Sequence, residues 1–315
     1  MLKKRMLLLA ALTLALPLAA HAQEATPEAT SAMMVPGLDQ IMINRENFFP
    51  EGIEYDAQNG RFLVGSTADG GVYTVADNGD LTQLIQDEHL TATVGLHIDA
   101  SRGRLLVASN GKPEGLGIYN LNDGSPIAYV DLASLTPDAQ HFINDVAVDK
   151  DGNAYVTDSY AGVIYRVTPD GKADIFLDDP SFKQQFALNG IDYDPAGYLV
   201  AVRAPDLIRI PLDDPKSFAK IDSEADFSNA DGLYFAKDGL LIVVANQRGK
   251  VYAVTSDDQF KTASVMGEFD AGTNFPTTAT ARGGEVYVLY AHLDKQQAGQ
   301  KDFTIQKVTF EAPQR

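Results

Sequence analysis

FPEGIEYDAQNGRFLVGSTADGGVYTV (Phe49–Val75) and FINDVAVDKDGNAYVTDSYAGVIYRV (Phe142–Val167) are two copies of one plan. Each opens with a polar residue followed by Gly or Asp and runs on as an alternating apolar stretch. It then turns through Asp or Asn with Gly, and a second Val-rich stretch and a Gly lead into a short Val and Tyr segment. Four more copies begin at Val94 (VGLHIDASRGRLLVASN), Asn189 (NGIDYDPAGYLVAVRAPDLIRI), Asp231 (DGLYFAKDGLLIVVANQRGKVYAV) and Pro276 (PTTATARGGEVYVLYAH). The aligned first residues, Glu51, Val94, Asn144, Asn189, Asp231 and Pro276, are spaced by 42–50 positions, a period that marks a propeller or a solenoid.

Alternation decides between the two. Stretches such as IEYD, RFLVG, AYVTD and VYVLY have the period of 2 and the Val, Tyr and Ile content of strands, and no unit offers the 3.6-residue period of a helical solenoid. About four strands per unit make one blade. The expected fold is therefore all-β, a six-bladed β-propeller with about four antiparallel strands per blade. IMINR (Ile41–Arg45) precedes the first copy and FTIQKVTF (Phe303–Phe310) follows the last. Either end can supply the strand that closes the ring and removes an exposed blade edge.

The first 22 residues have the layout of a cleavable leader: Lys3, Lys4 and Arg5, an apolar run from Met6 to Ala19, and Ala20-His21-Ala22 before the cut. That run is short of the roughly 20 residues that span a bilayer. Residues 23–38, rich in Ala, Thr, Glu and Pro, read as a flexible linker, and 39–315 as the propeller. A periplasmic or secreted protein is expected. With no cysteine there are no disulfides, no thiolate metal sites and no cysteine nucleophile. The formal charge is −18, and loss of the leader takes it to about −21. This surface repels nucleic acid and anionic membranes, so no nucleic-acid partner, no membrane association after cleavage and a monomer are expected. Solubility alone also accounts for such a charge.

In a propeller the equivalent point of every innermost strand faces one level of the central channel. Four of the six aligned residues, Glu51, Asn144, Asn189 and Asp231, are oxygen donors, and two are anionic. An all-oxygen set suits a hard cation such as Ca2+, with another divalent cation as the alternative, and argues against zinc and copper. Asn or Asp before Gly is also ordinary turn chemistry. Glu51, between Pro50 and Gly52, does not fit that reading, since a buried acid there needs a partner.

The phrases EGIEYD, FINDVAVDKDG, LNGIDYDPAG and NADGLYFAKDG, in that order, resemble the SMP-30/gluconolactonase family with its paraoxonase-like and diisopropylfluorophosphatase-like relatives. The resemblance runs from about Asp39 to Phe310. FPEGIEYD, FPTTAT and EVYVLYAH look closest to the branch labelled calcium-dependent phosphotriesterase-like. It implies a six-bladed propeller holding calcium on one Glu, two Asn and one Asp, at Glu51, Asn144, Asn189 and Asp231. Two departures stand out. Sugar-lactonases of the family carry an Arg at the place of Phe142, and paraoxonases carry a His at the place of Val94.

The expected activity is hydrolysis of a small-molecule lactone or ester by metal-polarised attack of water. Asp231 is the candidate for orienting that water, taking its proton or attacking covalently, and Glu51 for holding charge at the ion. His141 is the best placed of His97, His141 and His292 to serve as a base. Asp145 is expected to support Asn144 and to border the substrate pocket. Phe49, Val94, Phe142, Phe275 and Pro276 suggest an apolar rim suited to a hydrophobic lactone or aryl ester. The alternative is a non-catalytic binding or scaffold propeller of the cell envelope with a structural calcium. A strictosidine-synthase-like propeller leaves the oxygen quartet without a purpose.

Overall fold

In the computed structural model, residues 38–236 and 239–312 are described. The expected leader and all but the last residue of the linker lie outside them. The described chain forms six antiparallel four-stranded sheets, each a consecutive meander except the last. Blade 1 comprises Pro50–Asp56, Arg61–Ser66, Val72–Val75 and Leu81–Ile85. The innermost strands of blades 2 to 6 are Thr93–Asp99, Ile143–Val148, Leu188–Asp194, Ala230–Phe235 and Pro276–Arg282. Among the described residues no helix is long and apolar enough to cross a membrane.

The ring is closed from the N-terminal side. Gln40–Asn44 is the outermost strand of blade 6 and pairs antiparallel with Asp302–Lys307, Gln40 opposite Gln306 and Asn44 opposite Asp302. The last blade therefore joins the two ends of the propeller, and its outer edge is not left as an unpaired C-terminal strand.

The blades are held by apolar layers between neighbours. Six buried clusters each draw on two adjacent blades; one unites Ile43 and Phe303 of blade 6 with Phe62 and Val64 of blade 1. Each fully buried Leu, Ile, Val or Phe contributes about 1.5–3 kcal/mol, which is how a chain without disulfides keeps a closed ring.

One local irregularity builds the channel wall. In every blade the pairing of the innermost strand with its neighbour slips by one residue at the same place. Pro50 lies opposite Ser66 but Ile53 opposite Val64, and the same step recurs between Thr93 and Leu96, Ile143 and Val146, Leu188 and Ile191, Ala230 and Leu233, and Pro276 and Ala279. Each step is a β-bulge, two residues facing one, which bends the strand and re-aims a side chain. The bulge pairs are Glu51-Gly52, Val94-Gly95, Asn144-Asp145, Asn189-Gly190, Asp231-Gly232 and Thr277-Thr278. The Asn-Gly and Asp-Gly pairs thus sit inside strands and not in turns. This register corrects the sixth copy: Pro276 pairs as Pro50 does, and Thr277 is the residue equivalent to Glu51. The sequence placed it one position early, because Thr278 stands where the other copies have the Gly or Asp that marks the place.

The second bulge residue is Gly in four blades because the next inner strand passes against it. A β-carbon on Gly95 would stand 2.6 Å from Asn144 O, and one on Gly232 2.7 Å from Thr277 O, closer than packed atoms tolerate.

Candidate metal centre and active site

Glu51, Val94, Asn144, Asn189 and Asp231 line one cavity of about 760 Å³ at the channel mouth. The first members of five bulges thus meet in one space, drawn from positions up to 180 residues apart. Thr277, the sixth, is fully buried and donates its hydroxyl to Glu51 O at 2.8 Å, joining blade 6 to blade 1.

In four blades the side chain just after the second strand holds the ring in place. Ser159 Oγ donates to Leu188 O at 2.7 Å, so it has only lone pairs to offer Asn144, whose Nδ2 donates to it at 2.9 Å. The Asn144 amide is therefore fixed with Oδ1 as the atom left to act as an acceptor. Asn246 Oδ1 accepts from Gln247 N, and its Nδ2 donates to Asp231 Oδ2 at 2.9 Å. Asn110 grips the backbone of Ile143 from both sides, accepting from its N at 2.7 Å and donating to its O at 2.9 Å. Thr67 likewise donates to Phe49 O at 2.8 Å. Among the described residues no protein donor reaches the Glu51 carboxylate.

The electrostatics follow from this arrangement. Burial, then the nearby charges of Asp231 and Asp145, push the Glu51 carboxyl well above the usual carboxylate range. Burial raises Asp231 to about 7 against the lowering effect of the Asn246 and Asn189 amides. Two buried carboxylates facing one cavity without a cation are a costly arrangement, which a bound cation relieves. The described residues hold no cluster of three or more His, Cys, Asp or Glu fit for a metal, but two of the four donors here are amides, which such a cluster does not count. The donor set, two carboxylates and two amides, with Asn144 and Asp231 oriented by their neighbours, fits a hard divalent cation.

A second ring lies three residues further along the same strands: Glu54, His97, Ala147, Asp192, Tyr234 and Thr280. Its members bind the blades to one another. Asp192 Oδ2 accepts from Phe235 N at 2.6 Å and Thr280 Oγ1 from Tyr55 N at 3.1 Å, while Glu54 accepts from the Ile98 N–H. Each acceptor thus satisfies an amide on the channel-facing edge of the next blade, where no strand pairs. Asp145 does the same from the bulge of blade 3, accepting from Ile191 N at 3.0 Å and Val146 N at 2.9 Å.

Of the expected pocket residues, Val94, Phe142 and Phe275 line the cavity, whereas Phe49 and Asp145 do not. Phe49 is a correction: a left-handed backbone, φ 42°, turns its ring away from the channel into the core, where it packs edge-on against Phe303 at 5.5 Å. Asp145 is committed to the backbone of blades 3 and 4. His141 is also outside the cavity lining. Its Nδ1 lies 2.8 Å from Oδ2 of Asp158, a fully buried carboxylate that also accepts from Phe142 N, Tyr160 N and Ala161 N. That pair braces the segment leading to Asn144, so His141 is a positioning residue and not a base at the cavity. Phe186, Leu293 and Asp294 line the cavity without having been singled out by the repeat, because they sit on connections whose lengths vary from blade to blade.

Residues 49–290 match the SMP-30/Gluconolactonase/LRE-like region. The chain belongs to this family. No match was found among curated protein sequences. Among solved structures the chain is similar to the major allergen Mala s 1 of Malassezia sympodialis, with 18% identity, 86% of this chain and 96% of that one covered, and a TM-score of 0.71. It is similar to a gluconolactonase from Xanthomonas campestris at 14% identity, covering 85% and 89%, TM-score 0.60. A virginiamycin B lyase from Staphylococcus aureus shares the fold at 11% identity, covering 86% and 99%, TM-score 0.59. At these identities the likeness concerns the fold, which hosts hydrolase and lyase alike.

Proposed function

We propose that this member of the family is a divalent-cation-dependent hydrolase of small neutral lactones or esters, calcium being the cation its donors suit, and that it works outside the cytoplasm as a monomer once its leader is removed. The observation that carries the reading is the ring of four oxygen donors on one cavity, with the Asn144 and Asp231 side chains oriented from behind and the Glu51 carboxylate left without a protein donor. Family membership and a gluconolactonase among similar structures support lactone hydrolysis.

Glu51, Asn144, Asn189 and Asp231 would hold the cation, which when bound supplies a Lewis acid for the ester or lactone carbonyl. Glu51 balances its charge, and the amides of Asn144 and Asn189 fix its place without adding charge. Asp231 keeps one oxygen tied to Asn246, so the other is presented in a fixed direction to orient the attacking water and take its proton. Val94, Phe142 and Phe275 keep bulk water from this face.

Among the described residues no Lys, Arg or His lines the cavity, whereas Glu51, Asp231 and Asp294 do. Apart from the cation itself, a free sugar acid or other anion finds no counter-charge there, and a neutral lactone or ester is the better fit. The test is metal analysis of the purified protein together with hydrolysis of lactones, aryl esters and phosphotriesters with and without chelator. Turnover that chelator abolishes and calcium restores is expected. Absence of chelator-sensitive turnover on the whole panel would overturn the reading in favour of a binding propeller.

A further inference from the structure

Three aromatic side chains form one wall of the cavity. Phe142 and Tyr160 pack with ring centroids 5.4 Å apart, Phe142 and Phe186 at 5.5 Å, and Tyr160 and Phe186 at 5.1 Å, the last two pairs edge to face. Phe142 and Phe186 face the cavity, with Tyr160 behind them.

Two features of Phe186 are unfavourable for folding. The residue is 47% exposed, and it is the only aromatic among the exposed large hydrophobics of the described chain. Its backbone is left-handed, φ 55°, a conformation a side chain disfavours. Phe49 and Phe275 share that conformation, but neither is exposed; Phe186 gains its edge contacts within the wall and is still left exposed. An exposed apolar ring on a strained residue at a cavity mouth is the kind of feature a ligand explains.

The wall is also pre-set. Asp158, buried between His141 and the backbone of Phe142, Tyr160 and Ala161, fixes two of the three aromatic residues in one hydrogen-bonded unit. Phe186 N donates to Ser159 O at 3.0 Å, and Lys183 Nζ donates to Ala161 O and Gly162 O, tying the Phe186 connection to the same turn. Ser159 within that turn is the residue that aims Asn144. The wall and the donor ring are thus built on one short segment, in register with each other.

We infer that the Phe142–Tyr160–Phe186 wall is the subsite for a flat, uncharged aromatic ring, so that the substrate is a benzo-fused lactone or aryl ester whose carbonyl is presented to the donor ring while its ring lies against Phe186. This rests on the hydrolase reading above for the reaction and on the wall alone for the ring. Stacked or edge-to-face aromatic contacts prefer centroid separations of about 4.5–7 Å, which a ring set against Phe186 attains without moving the wall. Among the described residues no cationic side chain lines the cavity, so a carboxylate on the side of the ring away from the cation has no partner there.

The test compares a neutral benzo-fused lactone, an aliphatic lactone of the same ring size and the ring-carboxylated benzo-fused lactone, in the calcium-loaded wild type and in F186A and F186L. Binding of the corresponding benzo-fused lactam, which resists hydrolysis, is followed by calorimetry. The wild type should favour the benzo-fused lactone over the aliphatic one by about tenfold in kcat/KM and reject the carboxylated one. F186A should cut that preference about three- to tenfold, chiefly through KM, and weaken lactam binding by a similar factor; F186L, apolar but without a ring, should restore little of it. An unchanged preference in F186A, or equal use of the carboxylated lactone, overturns the inference. If nothing is hydrolysed but the lactam binds and F186A weakens it, the subsite stands and the hydrolase reading falls. If the lactam does not bind, the subsite falls whatever the turnover.

Discussion

The two rings of the channel occupy the same six strands, three residues apart, yet they are built to opposite ends. In the lower ring Glu54, Asp192 and Thr280 each accept from a backbone amide of the next blade, so its polar groups are consumed in holding the propeller together. In the upper ring the hydrogen bonds come from behind, from Ser159 and Asn246, and leave Asn144 Oδ1 and, among the described residues, the Glu51 carboxylate without a protein donor. Side chains of the same chemistry thus act as fasteners at one level and as a binding set at the other. What separates the two roles is whether a protein donor has been supplied.

The sharpest way to break this comparison is to neutralise the upper ring. Glu51→Gln and Asp231→Asn keep the shape and remove the charge. Each should lower chelator-sensitive turnover by a factor on the order of a thousand and weaken calcium binding in calorimetry, with little change in the circular dichroism spectrum. Retention of both turnover and affinity would place the chemistry elsewhere. A smaller effect is expected one layer back. Asn246→Leu and Ser159→Ala leave every donor in place but release its orientation, which should cost about 10–100-fold in calcium affinity, read by competition with a chelating dye.

Substitutions in the packing layer should leave calcium binding to the folded protein intact and appear in stability. Gly232→Ala would drive a β-carbon against Thr277 O and Thr278. Overpacking of this kind costs about 1–3 kcal/mol, measured as a drop in the midpoint of thermal unfolding. The smallest effect concerns pH. Burial raises Glu54 to about 8 and Asp192 to about 7. A folded acid with a raised value holds a proton that the unfolded chain has already released, so stability is greatest at low pH and is lost as pH climbs through those values. His97, lowered by burial to about 4, acts in the opposite sense below about pH 6.5, so the loss sets in above about pH 4.5, is partly offset up to about 6.5 and is complete by about 8. Glu54→Gln should unfold a few degrees above wild type at pH 8, by less at pH 6, and near it at pH 4.5, by calorimetry of the metal-free protein.

Much of this was legible in the repeat. The blade count, the strand content and the gathering of Glu51, Asn144, Asn189 and Asp231 all follow from period and alternation, since symmetry converts sequence spacing into position around the channel. The bulge was not legible, because it recurs in every copy and leaves the period unchanged, and Thr277 was displaced to Pro276 because the sixth copy lacks the Gly or Asp that follows the aligned residue in the other five. Ser159 and Asn246 escaped notice because their signal is the place where a second strand ends, and a single polar residue after a Val-rich run looks like any loop. Phe49 misled because a residue's direction depends on φ, and its left-handed backbone turned an apparent rim residue into core. Phe186 lies on a connection that no other blade copies, beyond the reach of any argument from repetition.

The closing strand has a consequence for the order in which the molecule can be made. Gln40–Asn44 leaves the ribosome ahead of every blade, yet its partner, Asp302–Lys307, is among the last segments synthesised. The earliest strand must wait unpaired for nearly the whole chain, while blades 1 to 5 can pack upon one another in turn. Thr277, whose hydroxyl joins blade 6 to the backbone of Glu51, is itself late. An intermediate of five blades would therefore have well-packed interfaces, but Glu51 would still lack its brace, and the capacity to take up a cation would arrive with the final stretch of chain and not gradually along it.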